Sequence, residues 1–96
     1  MATIMDTTMA VREYLDRRGQ KAVVELVQLR EWLVKQQSSA QPYRPGLSYY
    51  SLPATLARLI RVEEADLLVW IDAFVNRVDY WYQICEEYDV AIEEVR

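Results

Sequence analysis

Apolar residues near the carboxyl end of the chain recur with a regularity that a helix produces and a strand does not. Leu67, Ile71, Phe74, Val78, Trp81, Cys85, Tyr88, Ile92 and Val95 follow one another in alternating steps of four and three, the heptad spacing of an amphipathic helix. Leu68, Val75 and Tyr82 flank this seam on one side, and Trp70, Ile84 and Ala91 on the other. A face this wide exceeds what a two-stranded coil needs and suits a bundle. The pattern predicts one long helix over residues 64–95, entered through Glu63, Glu64 and Asp66, whose charges complement the positive end of a helix. A competing reading makes YWYQIC and VAIEEV the hairpin of a winged helix. Strand propensities favour it, but its turn, EEYD, offers no glycine for positive φ.

Three shorter helices are expected upstream. The first covers residues 8–18, with Asp6, Thr7 or Thr8 as cap and Gly19 as its terminator behind Arg17 and Arg18. The second covers residues 20–37, where Ala22, Leu26, Leu29 and Leu33 keep heptad spacing and Val23, Val27 and Val34 widen the face. Trp32 lies on the polar side of that helix, where the tyrosine-bearing loop or a partner must cover it. Residues 38–50 form the loop, which contains Pro42, Pro45 and Gly46. Ser51, with Pro53 just inside the first turn, starts a helix over residues 51–61 that carries Leu56, Ala57, Leu59 and Ile60.

Residues 51–72 resemble a helix-turn-helix unit. Leu56 and Ala57 occupy the places of the family's Leu-Ala pair, Val62 follows in the turn, and Leu67 and Trp70 match the apolar positions of its second helix. The resemblance implies two helices crossing closely over Ala57, and DNA binding as an activity. Two departures bear on this. Arg61 stands where the family usually has the turn glycine, and Glu63, Glu64 and Asp66 lie where the second helix would meet a phosphate lattice of one negative charge per roughly 1.7 Å. The expected fold is therefore all-α: one domain over residues 1–96, a small bundle of four helices with a helix-turn-helix-like centre and a long carboxyl-terminal helix.

The charges are segregated along the chain. The 96 residues carry a net charge of −4. Residues 1–31 are neutral, residues 32–62 hold four bases and no acid, and residues 63–96 hold ten acids against Arg77 and Arg96. The bases Lys35, Arg44, Arg58 and Arg61, with Tyr43, Tyr49 and Tyr50 for stacking, are the candidate nucleic-acid contacts. Their other reading is neutralisation of the acidic last helix, within the chain or across a dimer. Asp72, Asp79, Glu86 and Glu93 recur every seventh residue, widened by Glu87 and Glu94 and joined by Tyr80. They form either a solvated edge or a contact stripe for a basic partner, with Tyr80 as aromatic anchor.

Catalysis finds little material. The chain has no histidine, the commonest general base and zinc ligand. Its one cysteine, Cys85, sits inside the apolar repeat, where a thiol serves as a small hydrophobe. No metal site, cofactor or small-molecule substrate is expected. The single cysteine, the absence of a signal-like start and the lack of a long apolar run imply a cytoplasmic protein with no membrane contact.

Length supplies an argument for pairing. A helix over residues 64–96 would measure about 50 Å at 1.5 Å per residue, beyond the roughly 35 Å diameter of a domain this size. Its apolar face would overhang, so a homodimer through Phe74, Val78, Trp81, Cys85, Tyr88, Ile92 and Val95 is expected. The functional expectation is a non-enzymatic protein-binding module (an acidic inhibitor, antitoxin or adaptor) that presents the stripe to a basic partner. The alternative is a dimeric helix-turn-helix regulator of transcription.

Overall fold

The computed structural model describes residues 3–91. They form five helices: α1 (Ile4–Arg18), α2 (Gln20–Gln37), α3 (Leu52–Ile60), α4 (Glu64–Phe74) and α5 (Val78–Glu87). There is no strand among the described residues, so the hairpin reading fails over this range. No helix is long and apolar enough to cross a membrane among them. Helix α1 packs against α2, α3 and α4, α3 packs on α4, and α2 receives α5. Their shared core contains Val11, Tyr14, Leu15, Leu26, Leu29, Leu56, Leu67, Trp70, Ile71 and Trp81.

Local chemistry explains most of the boundaries. Helix α1 begins earlier than expected because Thr3 and Asp6 form a capping box. The Thr3 hydroxyl accepts from the Asp6 amide, the Asp6 carboxylate accepts from the Thr3 amide, and both bonds are 3.1 Å long. Asp6, Thr7 and Thr8 therefore lie inside the helix, and Thr7 is buried. Gly19 alone joins α1 to α2, at φ 60° and ψ −130°, a region that residues with a Cβ avoid. At α3 the Ser51 hydroxyl accepts from the Ala54 amide at 3.2 Å, with Pro53 in the first turn.

The long carboxyl-terminal helix is the expectation that the structure corrects. The chain leaves the helix at Val75, Asn76 and Arg77 and begins α5 at Val78. Three donors serve the carbonyls this exposes. Trp81 Nε1 donates to the Phe74 oxygen at 2.7 Å, the Arg77 amide donates to the same oxygen at 3.0 Å, and Arg30 Nε donates to the Val75 oxygen at 2.8 Å. Interrupting the helix brings Trp81, Ile84 and Cys85 into the core, each at most 2 % exposed. Burying side chains of this kind stabilises by roughly 1.5–3 kcal/mol apiece. Val75 and Asn76 are modest helix formers, up to about 0.7 kcal/mol each less favourable than alanine in a helix, so little local preference opposes the bend.

The break also removes the geometric case for pairing. Among the described residues the extents are 34 × 27 × 22 Å with a radius of gyration of 12.7 Å, and no rod of about 50 Å is present. Helix α5 ends at Tyr88 and Asp89, where Asp89 takes φ 57° and the Val90 amide returns to the Cys85 oxygen at 2.8 Å, closing a Schellman-type end. Residues 92–95, the last part of the expected helix, lie outside the described range.

Candidate functional site

The turn between α3 and α4 closes without a glycine. Arg61 occupies the left-handed region at φ 70° and ψ 46°. The Arg61 and Val62 amides both reach the Ala57 oxygen, at 2.8 and 3.0 Å, which ends α3 in a Schellman-type cap. Leu56, Ala57, Leu67 and Trp70 are buried and Val62 packs beside them, so the family's apolar positions do the packing. The outward face of α4 presents Ala65, Val69, Asp72 and Ala73. None of these side chains can donate to a base edge or to a phosphate.

Glu64 faces the loop. Its carboxylate accepts from the Tyr43 hydroxyl and, at 3.2 Å, from the Gly46 amide. Ser51 Oγ lies 2.7 Å from the Tyr43 hydroxyl, so the loop, the start of α3 and the start of α4 share one polar cluster. Burial and the Glu64 carboxylate together push the Tyr43 phenol above its usual range. The Tyr43 ring meets Trp32 edge-on at 4.9 Å, so the loop covers part of the indole that lies on the polar side of α2.

The expected acidic stripe is divided. Asp72 belongs to α4 and Asp79 and Glu86 to α5, all three exposed. Glu87 is held by Arg12 in a two-pronged ion pair with N–O distances of 2.6 and 2.7 Å. That contact keeps the Glu87 carboxyl below the ordinary range. Tyr80 turns inward against Phe74, Trp81 and Trp70 at ring distances of 4.9, 5.6 and 6.0 Å. Burial pushes its phenol up to about 12, and a side chain so placed is not an exposed anchor. Glu93 lies outside the described residues. Asp72, Asp79 and Glu86 take part in no ion pair among the described residues.

The residues expected at a dimer interface separate in the same way. Trp81 and Cys85 are wholly buried in the chain's own core, and Phe74 and Tyr88 are half-buried against it. Val78 remains 45 % exposed. Ile92 and Val95 lie outside the described range. Two of the expected contacts are thus spent inside one molecule, because the bend after Phe74 returns α5 to α2.

The basic residues do not converge on one site. Arg58 stacks over the Tyr49 ring at 3.7 Å and donates to the Tyr49 oxygen at 2.8 Å, bracing the loop against α3. Lys35, Arg44 and Arg61 are exposed. None of the four forms an ion pair with an acid among the described residues.

Sequence reasoning missed a groove. Trp32, Leu33, Pro42, Tyr43, Leu68, Val69 and Asp72 border an open hollow of about 380 Å³ between α2, the loop and α4. Only the odd position of Trp32 on its helix hinted at it. Val69 is 57 % exposed there, beside exposed Pro42 and Asp72 and half-buried Trp32, Tyr43 and Leu68.

Comparison with protein-family models, with curated proteins and with solved structures finds no match.

Proposed function

We propose that this protein is a non-enzymatic binding module whose acidic carboxyl-terminal surface engages a basic protein partner. The observation that carries this reading is that Asp79 and Glu86 stay exposed and unpaired among the described residues once the fold is built. Residues 63–91 hold eight acids and one base, Arg77. A surface of one sign attracts a partner of the other and speeds the encounter.

A charge-matched comparison tests it. Asp79→Lys with Glu86→Lys removes the proposed surface, while Glu13→Lys with Glu31→Lys changes net charge equally on α1 and α2. With a lysine- and leucine-rich amphipathic peptide as probe, the first pair should lose most affinity and most of its salt dependence. Equal losses in the two pairs would reduce the attraction to net charge and remove the site.

A second reading, a helix-turn-helix regulator binding DNA through Lys35, Arg44, Arg58 and Arg61, rests on the geometry of the α3–α4 turn. Its weakness is the outward face of α4, which offers Asp72 and three small apolar side chains where a reading helix needs donors. A mobility-shift assay with mixed-sequence duplex at low salt, where phosphate attraction is greatest, tests it. Absence of a shift at micromolar protein would end it.

A further inference from the structure

Beside the groove at Trp32 lies a second hollow, and Pro42 borders both. The first is bordered by Trp32, Tyr43, Leu68, Val69 and Asp72, the second by Gln41, Arg44 and Leu47. The adjoining hollows carry opposite charges, Arg44 on the second and Asp72 on the first. Exposed Leu47 borders the same hollow as Arg44 and exposed Val69 the same hollow as Asp72 (69 % and 57 % exposed), with Pro42 common to both. Neither Arg44 nor Asp72 has an ion-pair partner among the described residues.

We infer that a second copy of this chain docks on this surface about a two-fold axis. Such an axis places each patch against itself, so the patch must be self-complementary. A half-turn about the middle of this one sets Arg44 opposite the partner's Asp72 and brings Leu47 towards the partner's Val69, then repeats both contacts in reverse. Other occupants satisfy only half of it. A basic protein would meet repulsion at Arg44, and a nucleic acid would meet it at Asp72. Asp79 and Glu86 border neither hollow, so this inference stands or falls separately from the acidic-face reading. It also differs from pairing through the last helix, whose Trp81 and Cys85 are already buried.

Sedimentation velocity over a range from low micromolar to near-millimolar protein tests it, with circular dichroism to check that each variant folds. The native chain should pass from monomer to dimer as concentration rises. Val69→Asp, an exposed change that the fold tolerates, should leave monomer. Arg44→Asp and Asp72→Arg should each weaken pairing by about tenfold or more, and an equimolar mixture of the two single variants should restore it, because each chain then supplies what the other lacks. A native chain that stays monomeric throughout overturns the inference. So does a dimer indifferent to Val69→Asp and to both charge reversals, above all one abolished by Val78→Asp instead.

Discussion

Replacing Arg30 by methionine removes the guanidinium while keeping much of the unbranched stem, and so isolates what holds the bend between α4 and α5. Arg30 Nε donates to the Val75 oxygen at 2.8 Å, and its guanidinium lies 5.9 Å from the Trp81 ring centre. A hydrogen bond from a charged donor contributes about 1.5–3 kcal/mol, and a cation over an aromatic face about 0.5–1 kcal/mol at a partly exposed site. Arg30 is half-buried, so water can reach part of what it leaves. The loss should therefore fall near 2 kcal/mol. For a domain of this size that is a fall in Tm of about 8–16 °C, and urea denaturation should show a lower midpoint with an unchanged slope. Arg77→Met is the control. Arg77 also carries its guanidinium near a ring, 5.3 Å from the centre of Phe74, but it is exposed, and its contribution to the Phe74 oxygen comes from the backbone amide. It should cost no more than about 0.5 kcal/mol. Equal and small effects of the two substitutions would refute the view that Arg30 secures the bend.

Three further outcomes follow from local geometry. Gly19→Ala should cost more than about 1 kcal/mol in chemical denaturation through backbone strain alone, since φ is 60° and nothing stands within 4 Å of the added methyl group; an unaffected midpoint would contradict the backbone assigned to the α1–α2 junction. Ser51→Ala removes the cap of α3 and a neighbour of the Tyr43 hydroxyl, so a loss of about 1 kcal/mol is expected, and a neutral result would dissolve the polar cluster. Tyr14 and Tyr80 ionise only at about 12, Tyr14 because of burial and its 2.5 Å bond to the Glu25 carboxylate, Tyr80 because of burial. The folded state holds those protons more tightly than the unfolded chain, so their contribution is intact below pH 10 and is lost as pH rises towards 12. Ultraviolet titration of the folded protein should leave a fraction of the phenol absorbance to appear only towards pH 12; a titration complete near pH 10 in folded protein would refute it.

The parts of the fold that the sequence revealed are those in which local chemistry and burial agree. Helix α2 has the expected limits because Gly19 forces a turn at one end and the loop opens at the other. The core positions of the apolar repeat were also readable: Leu67, Ile71, Trp81 and Cys85 are all buried. The break at Val75, Asn76 and Arg77 was not. It occurs without glycine or proline, and the helices on either side keep the apolar phase, so spacing alone could not reveal it. The weak signals were the Val75-Asn76 pair, both modest helix formers, and Asp79, an acid in the first turn of α5. Thr3 and Asp6 have the spacing of a capping box, a local signal that competes with the equally good capping residues Asp6, Thr7 and Thr8 just after it. The candidate surfaces were harder to foresee. Seven-residue spacing aligns Asp72, Asp79 and Glu86 only if one helix carries all three, and the inward turn of Tyr80 depends on aromatic partners from α4. The groove requires Trp32, Pro42 and Val69 to meet from three separate segments, which no periodicity records.

Folding back of the last helix is the claim on which the surfaces depend, and backbone and side-chain NMR tests it most directly. In this structure the Tyr88 hydroxyl donates to Asp16 at 2.9 Å and Gln20 Nε2 donates to the Asp89 oxygen at 3.2 Å, tying the end of α5 to α1 and the start of α2. The account predicts helical carbon shifts over residues 64–75 and 78–87, interrupted at Arg77, where φ is −83° and ψ 70°, together with cross-peaks between the Tyr88 ring and the side chain of Arg12 or Asp16. Unbroken helical shifts from residue 64 to 87, with no contact between Tyr88 and α1, would contradict it.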